Sequence, residues 1–293
     1  MVKILSGKEI SRKIYSDLIP RIDSLKKMGI TPCLAVILVG EDPASKIYVK
    51  SKIKKFESLG LHFKTIYLKS SIDEIELIRN VKVLNNAKDI HGILLQLPLP
   101  KHMSEFKILQ LISPSKDVDG FHPENVGLLS IGYPRFIPCT PKGIMRIFEH
   151  YNINLNGRHV VILGRSNIVG RPISFLTGAK KKGANATTTV CHSGTENILD
   201  YTLSADVVIS AMGVPGLLKG KMLKKGAVVI DVGINRVESD NKRGYILVGD
   251  VDWDSIQENV SAATPVPGGI GPMTIAMLVE NTVEAAERIM IVS

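Results

Sequence analysis

Arg158-His159-Val160-Val161-Ile162-Leu163-Gly164-Arg165-Ser166-Asn167-Ile168-Val169-Gly170-Arg171-Pro172 is the stretch on which the reading of the fold turns. A polar start, an unbroken apolar run from Val160 to Leu163 and then a glycine-led polar turn describe a buried parallel strand feeding a helix. Gly164 permits the tight turn, and Gly170 lets the new helix pack close to the strand. The N–H groups of that helix's first turn would then point at an anion, most simply a dinucleotide's phosphates. The spacing is Gly-x-Ser-x-x-x-Gly rather than Gly-x-Gly-x-x-Gly, so a strand–turn–helix without any ligand stays open on these residues alone.

Just downstream, Thr187-Thr188-Thr189-Val190-Cys191 reads as the next strand and ends at His192-Ser193, about twenty residues past the turn, where an NAD site carries Asp or Glu. No acid stands there, while Arg165 lies in the turn itself. A carboxylate repels a 2′-phosphate, whereas Arg and Ser bind one, so the cofactor expected is NADP, with NAD second. Val207-Val208-Ile209-Ser210-Ala211 and Val228-Val229-Ile230-Asp231-Val232 continue the alternation of strands and helices, punctuated by Gly213 and Gly233. The second half of the chain is therefore expected to be a doubly wound, Rossmann-type sheet.

Before this region lies a second α/β pattern. Ser6-x-x-Glu9 forms a capping box for a helix with Ile10, Ile14, Leu18 and Ile22 on one stripe, which Pro20 should kink or break. Cys33 to Val39 is a strand-length apolar run closed by Gly40, and Asp42-Pro43 starts a helix reaching Leu59. On that helix Val49, Ile53 and Phe56 form the core stripe, with Ser45, Tyr48 and Lys52 on an adjacent face. Tyr48 and Lys52 are either a surface pair or an aromatic platform beside an amine whose pKa falls on burial. Phe63 to Leu68 is a strand, Ser71-x-x-Glu74 caps a helix with Ile75, Ile78 and Leu84, and Gly92 to Leu97 is a third strand stopped by prolines. Gln96, the lone polar residue of that last run, sits where a parallel strand ends and a ligand crevice opens. Lys116-Asp117-Val118-Asp119-Gly120 is a polar loop, either a self-bonded Asx structure or a carboxylate set to take a ligand's N–H donors. No further oxygen series follows it, which excludes an EF-hand-like calcium loop. The stiff segment Pro134 to Pro141 marks the domain boundary, and a short helix from Pro141 to about Tyr151 follows it. Thr264-Pro265-Val266-Pro267-Gly268-Gly269-Ile270-Gly271-Pro272-Met273 is bare, stiff backbone suited to close approach by a flat ligand. Pro272 starts a last helix with Ala276, Val279, Val283, Ala286 and Met290 as its apolar stripe, expected to pack back on the first domain.

Composition excludes several classes. With 293 residues the chain suits one large or two medium domains. Its 3 cysteines are far apart and its 7 histidines scattered, which argues against a disulfide framework and a structural zinc site and for a reducing cytoplasm. Neither a leader-like apolar stretch nor a run of membrane-spanning length is present. The formal charge of +9 is spread along helical segments without interleaved aromatics, so a solvated surface is expected rather than a nucleic-acid partner, and a preference for small anionic ligands fits as well.

Five motifs together resemble one family: Tyr48-Val49-Lys50-Ser51-Lys52, Gln96-Leu97-Pro98-Leu99-Pro100, Lys116 to Gly120, Gly164 to Pro172, and Pro265 to Thr274. In this order, over essentially the whole length, they resemble the bifunctional methylenetetrahydrofolate dehydrogenase/cyclohydrolase family. The resemblance implies an N-terminal folate-binding α/β domain over residues 1–138, joined by the helix at 272–291, a dinucleotide domain over 139–271, and a cleft between them. It implies NADP-dependent oxidation of 5,10-methylenetetrahydrofolate to the methenyl cation, then hydrolysis to 10-formyltetrahydrofolate. Lys52 is implied as the key catalytic residue, Gln96 as its hydrogen-bond partner, Tyr48 as a stacking platform and Asp119 as the pterin's acceptor. Gly164, Arg165, Ser166, Ser193 and Ile234 are implied at the cofactor, Gly269 and Pro272 at the substrate, and the assembly as a homodimer. Many relatives carry a basic residue after the His-Ser pair where this chain has Gly194, which removes one phosphate contact while Arg165 supplies another. Two rivals remain: a shikimate- or amino-acid-type NADP dehydrogenase, which would not need the glycine–proline loop, and a non-catalytic nucleotide-binding regulator, which would have lost Lys52, Gln96 or Asp119.

Overall fold

The computed structural model describes residues 2–241 and 244–292, with the side chains of residue 44 and of residues 290–292 left aside, so Met290 of the expected stripe lies outside the described side chains. In chain order the first elements are β1 (Lys3–Ile4), α1 (Gly7–Lys27), β2 (Cys33–Val39), α2 (Pro43–Ser58), β3 (His62–Leu68), α3 (Glu74–Asn86) and β4 (Gly92–Gln96). Three helices follow, α4 (Glu105–Leu109), α5 (Pro123–Ser130) and α6 (Cys139–His150). Next come β5 (His159–Leu163), α7 (Gly170–Gly178), β6 (Thr187–Cys191), α8 (Ile198–Thr202), β7 (Val207–Ser210) and β8 (Val228–Asp231). The chain closes with β9 (Asn235–Glu238), β10 (Tyr245–Val248), α9 (Trp253–Ile256), β11 (Ala262–Ala263) and α10 (Ile270–Val292).

These elements form two compact units. One comprises Lys13–Cys139 with the chain from Ile275 on; the other comprises the chain up to Arg12 with Thr140–Thr274. The first twelve residues thus depart from the expected 1–138 domain, because β1 pairs in parallel with β11, Lys3 opposite Ala262. Two residues suffice to carry the N-terminus onto the other unit's sheet edge.

The Lys13–Cys139 unit is built on a parallel sheet in the order β3-β2-β4. All of β2 is buried, as a central strand covered on both faces must be. Cys33, Ala35, Ile37 and Val39 of β2 share a core with Leu77, Val81 and Leu84 of α3 and with Ile93 and Leu95 of β4. Three expectations change here. Pro20 does not end α1, which runs through it to Lys27. A helix loses one N–H bond at proline, and burial of Ile14, Leu18, Ile22 and Leu25 holds the helix together across it. Helix α3 is capped by Asp73, whose side chain accepts from Glu76 N, rather than by Ser71, and Ile75 is exposed while Leu77 and Val81 are buried. On α2 the buried stripe is Ser45, Val49, Lys52 and Phe56, so Lys52 takes an inward place and Ile53 only a flanking one.

The other unit holds a six-stranded parallel sheet in the order β1-β11-β8-β7-β5-β6. The order of strand addition reverses at β5, with β6 placed on one side and β7 and β8 on the other; this is the topological switch of a doubly wound sheet. The register aligns Leu163 with both Cys191 and Ser210, and Ser210 with Asp231, so four strands end level at one edge. The antiparallel pair β9–β10 forms a separate ribbon.

Candidate active site

Lys52 is brought inward by α2 and is only 7% exposed. Its Nζ donates to Gln96 Oε1 at 2.9 Å. Gln96 is the last residue of β4, and its Nε2 donates to the Leu97 carbonyl at 3.0 Å, which leaves the amide oxygen turned to the lysine. Burial pushes the Lys52 amine below the ordinary lysine value, with the charge of Asp119 and the thiol of Cys139 acting the other way. Tyr48 lies one turn earlier on α2, half-buried, and burial raises its phenol so that it stays protonated.

Asp119 comes from the loop that runs beside β4, where Ile93 N donates to the Lys116 carbonyl at 2.7 Å. Lys116 Nζ in turn donates to the carbonyls of Leu84 and Ala87 at 3.1 and 2.7 Å, a cation on the carboxyl end of α3. Asp117 anchors the loop from inside, accepting from His122 N and Asn125 Nδ2, both at 2.8 Å. Gly120 has a φ of +76°, and a Cβ there would meet Pro138 N at 3.0 Å, so the turn requires glycine. Desolvation raises the Asp119 carboxyl, while Lys52 and hydrogen bonds from Cys139 hold it down. Asp117 is thus the loop's own acceptor, while the charges of Asp119 and Lys52 act on one another.

Two residues of this cluster were not singled out by the sequence. Cys139, 1% exposed, donates its thiol to the Val118 carbonyl at 3.5 Å. Asn281 on α10 donates its amide to the carbonyls of Val118 at 2.7 Å and Ile137 at 3.0 Å, and to Cys139 Sγ at 3.7 Å. The available signals were a cysteine set between prolines and a Glu280-Asn281-Thr282 run interrupting an apolar helix.

In the other unit Gly164, Arg165 and Ser166 follow β5 at the level carboxyl edge, Ser193 follows β6, and Ile234 follows β8. Gly164 has a φ of +117°, and a side chain there would strike the Ala211 carbonyl after β7. The tight turn expected at Gly164 is present, and a side chain on Gly170 would strike the Gly164 carbonyl, so the helix packs close to the strand as expected. The first-turn donors do not behave as expected. Ser166 Oγ accepts from Val169 N at 3.1 Å and Gly170 N at 3.4 Å, and the Ser166 carbonyl accepts from Arg171 N at 3.0 Å. A serine in place of the second glycine thus takes up these donors itself, and Arg165 beside it is exposed. At the end of β6, His192 N donates to Thr195 Oγ1 and Gly194 N to His192 Nδ1, a turn containing no acid.

Gly269 and Pro272 belong to this same unit. Gly269 is buried against its own chain: its N–H donates to the Pro265 carbonyl at 2.8 Å, and its carbonyl occupies the space a Cβ on Gly7 would need. Its smoothness thus serves packing against Gly7 and the Pro265 turn rather than an open face. Pro272 is the third residue of α10, which starts at Ile270, earlier than expected. Among the described residues no His/Cys/Asp/Glu group suited to a metal occurs, and no helix is long and apolar enough to cross a membrane.

Residues 5–119 match the family model described as tetrahydrofolate dehydrogenase/cyclohydrolase, catalytic domain, and residues 138–290 match its NAD(P)-binding domain. A bifunctional protein FolD from Acetivibrio thermocellus is 50% identical over 285 residues, 97% of each chain. The crystal structure of the bifunctional FolD dehydrogenase/cyclohydrolase from Campylobacter jejuni has a TM-score of 0.93 at 47% identity, covering 98% of this chain and 99% of that one. The Trypanosoma brucei enzyme, solved with NADP cofactor and an inhibitor, has a TM-score of 0.94 at 35% identity, covering 99% of this chain and 98% of that one.

Proposed function

Since the chain belongs to the tetrahydrofolate dehydrogenase/cyclohydrolase family, and is thereby a bifunctional NADP-dependent methylenetetrahydrofolate dehydrogenase and methenyltetrahydrofolate cyclohydrolase, we propose how its own residues divide the two reactions. The observation that carries the proposal is the bond from Lys52 Nζ to a Gln96 amide whose orientation is set by the Leu97 carbonyl.

NADP, when bound, supplies the acceptor for the hydride that leaves the one-carbon bridge. Arg165, Ser166, Ser193 and Ile234 hold it along the carboxyl edge, with Gly164 allowing the approach. Oxidation yields a resonance-stabilised cation, so this step asks the protein chiefly for positioning. Asp119 accepts the pterin's N–H groups through charge-assisted bonds and fixes the ring. Tyr48 gives the ring a flat surface.

Hydrolysis asks more. The oxygen of water bonds to the cationic carbon and one of its protons passes to the Lys52 amine; the bond from that carbon to one ring nitrogen then breaks with its pair going to nitrogen, which takes up the remaining hydroxyl proton as the formyl C=O forms. An ordinary lysine is fully protonated near pH 7; burial lowers the Lys52 pKa and brings its amine closer to taking that proton. Gln96, neutral and aimed at Nζ, holds the amine without favouring the ammonium as a carboxylate would. Lys52, Gln96 and Asp119 are all present, which argues against a non-catalytic regulator. A homodimer in a reducing cytoplasm completes the reading; buried free Cys33, Cys139 and Cys191 support the compartment.

The test is an absorbance assay started with 5,10-methylenetetrahydrofolate and either NADP or NAD. Methenyl formation faster with NADP, followed by decay of the methenyl signal, is expected. Decay no faster than without enzyme would remove Lys52's assigned role.

A further inference from the structure

Asp250 lies immediately before the turn into α9, is 0% exposed, and has both carboxylate oxygens saturated by donors from two other loops. Oδ2 accepts from Met212 N at 2.6 Å, Gly213 N at 3.1 Å and Ser210 Oγ at 3.3 Å. Oδ1 accepts from Val214 N and Asn235 Nδ2, both at 3.0 Å. A second buried carboxylate holds the first in place: Asp231 accepts from Asp250 N and Val251 N at 3.0 Å and from Gly233 N at 2.9 Å. Glycines make room for both, since a side chain on Gly233 would collide with the Asp250 carboxylate and one on Gly249 with that of Asp231.

The gathered segments are the loops after β7 and β8, at the edge where β5 opens into its glycine turn. Ala211 N donates to the Leu163 carbonyl at 2.8 Å, and Ile234 stands between Gly233 and Asn235, both held by this pair of carboxylates. An isolated buried carboxylate is strongly unfavourable; one met by several N–H donors becomes a rigid hub. We propose that Asp250 is a positioning residue for the nicotinamide nucleotide, its carboxylate drawing the loops after β7 and β8 into one wall of the cofactor site. This rests on the reading that the carboxyl edge of this sheet binds NADP.

Asp250→Asn in the full-length enzyme discriminates. The amide nitrogen must replace one oxygen. It then opposes either the N–H groups of Met212 and Gly213 or that of Val214, leaving at least one donor unmet in either rotamer. The KM for NADP in the dehydrogenase assay is expected to rise about tenfold or more. Hydrolysis of methenyltetrahydrofolate, which uses no nucleotide, should keep its rate. An unchanged KM for NADP overturns the proposal. Equal loss of both activities would show a collapse of the fold, visible in the emission of Trp253, which packs against this unit's core. In that event Asn235→Ala, which removes one donor only, decides: a raised KM for NADP with hydrolysis intact supports the hub, and an unchanged one refutes it. Failure of the unaltered enzyme to use NADP would instead refute the cofactor reading itself.

Discussion

Gln96 presents its amide oxygen to Lys52 Nζ at 2.9 Å because its nitrogen is committed to the Leu97 carbonyl at 3.0 Å. A neutral acceptor in this position leaves the amine's charge state to burial, which lowers its pKa, against the opposing pull of Asp119. Gln96→Glu exchanges the neutral oxygen for a carboxylate and favours the ammonium. The Lys52 pKa should rise, and methenyl hydrolysis near neutral pH should fall about 10- to 100-fold. The measurement is the pH profile of kcat for hydrolysis: its limb should move to higher pH, and a limb left in place would separate this amine from the reaction.

Lys52 also sets a stability effect with a definite sign. Its folded pKa lies below the unfolded value, so the folded state binds the proton less tightly. The penalty is fully present below the folded pKa, shrinks as pH rises through it, and vanishes above the unfolded value of about 10.4. Lys52→Met keeps an apolar stem in the same space and removes the charge. The variant should lose hydrolysis and yet unfold at a temperature about 2–4 °C higher at pH 7. In thermal melts that gap should close as pH approaches the unfolded value; a gap independent of pH would attribute it to packing.

The legible parts of the fold are those where burial leaves a pattern. The run from Val160 to Gly170 and the wholly buried β2 announce parallel strands because both faces are covered. Strands β1 and β11, of 2 residues each, are too short for any period, and β9, polar and largely exposed, shows none either. Lys52 was visible as half of a Tyr–Lys pair, but periodicity assigned the inward place to Ile53, since a count of apolar residues cannot seat a buried amine. Asn281 was hidden by the opposite effect: a polar residue serving two carbonyls looks like an interruption in an apolar helix.

Asn281 should report on how tightly the Asp119 loop is held. Asn281→Ala leaves the carbonyls of Val118 and Ile137 without this donor, at a cost of about 2–4 kcal/mol of stability. The peptide preceding Asp119 loosens, so the KM for methylenetetrahydrofolate should rise about tenfold while the KM for NADP stays level. Denaturant unfolding and steady-state kinetics check the two halves. A stability loss with an unchanged folate KM would reduce Asn281 to packing.

We propose that Arg165, in the turn after β5, sets the preference for NADP over NAD. Ser166 Oγ and its carbonyl take the N–H groups of Val169, Gly170 and Arg171, so the backbone at the start of α7 offers these donors to its own turn. No acid stands at the end of β6, and Gly194 follows Ser193 where a second cation would help. A 2′-phosphate at this edge therefore draws on Arg165, exposed in the turn, by a charge-assisted bond. Arg165→Ala should lower kcat/KM for NADP about tenfold, near 1.4 kcal/mol, and leave the slower reaction with NAD untouched. The ratio of the two constants is the readout. If it holds constant, the phosphate is recognised elsewhere along the edge and Arg165 has no part in the preference.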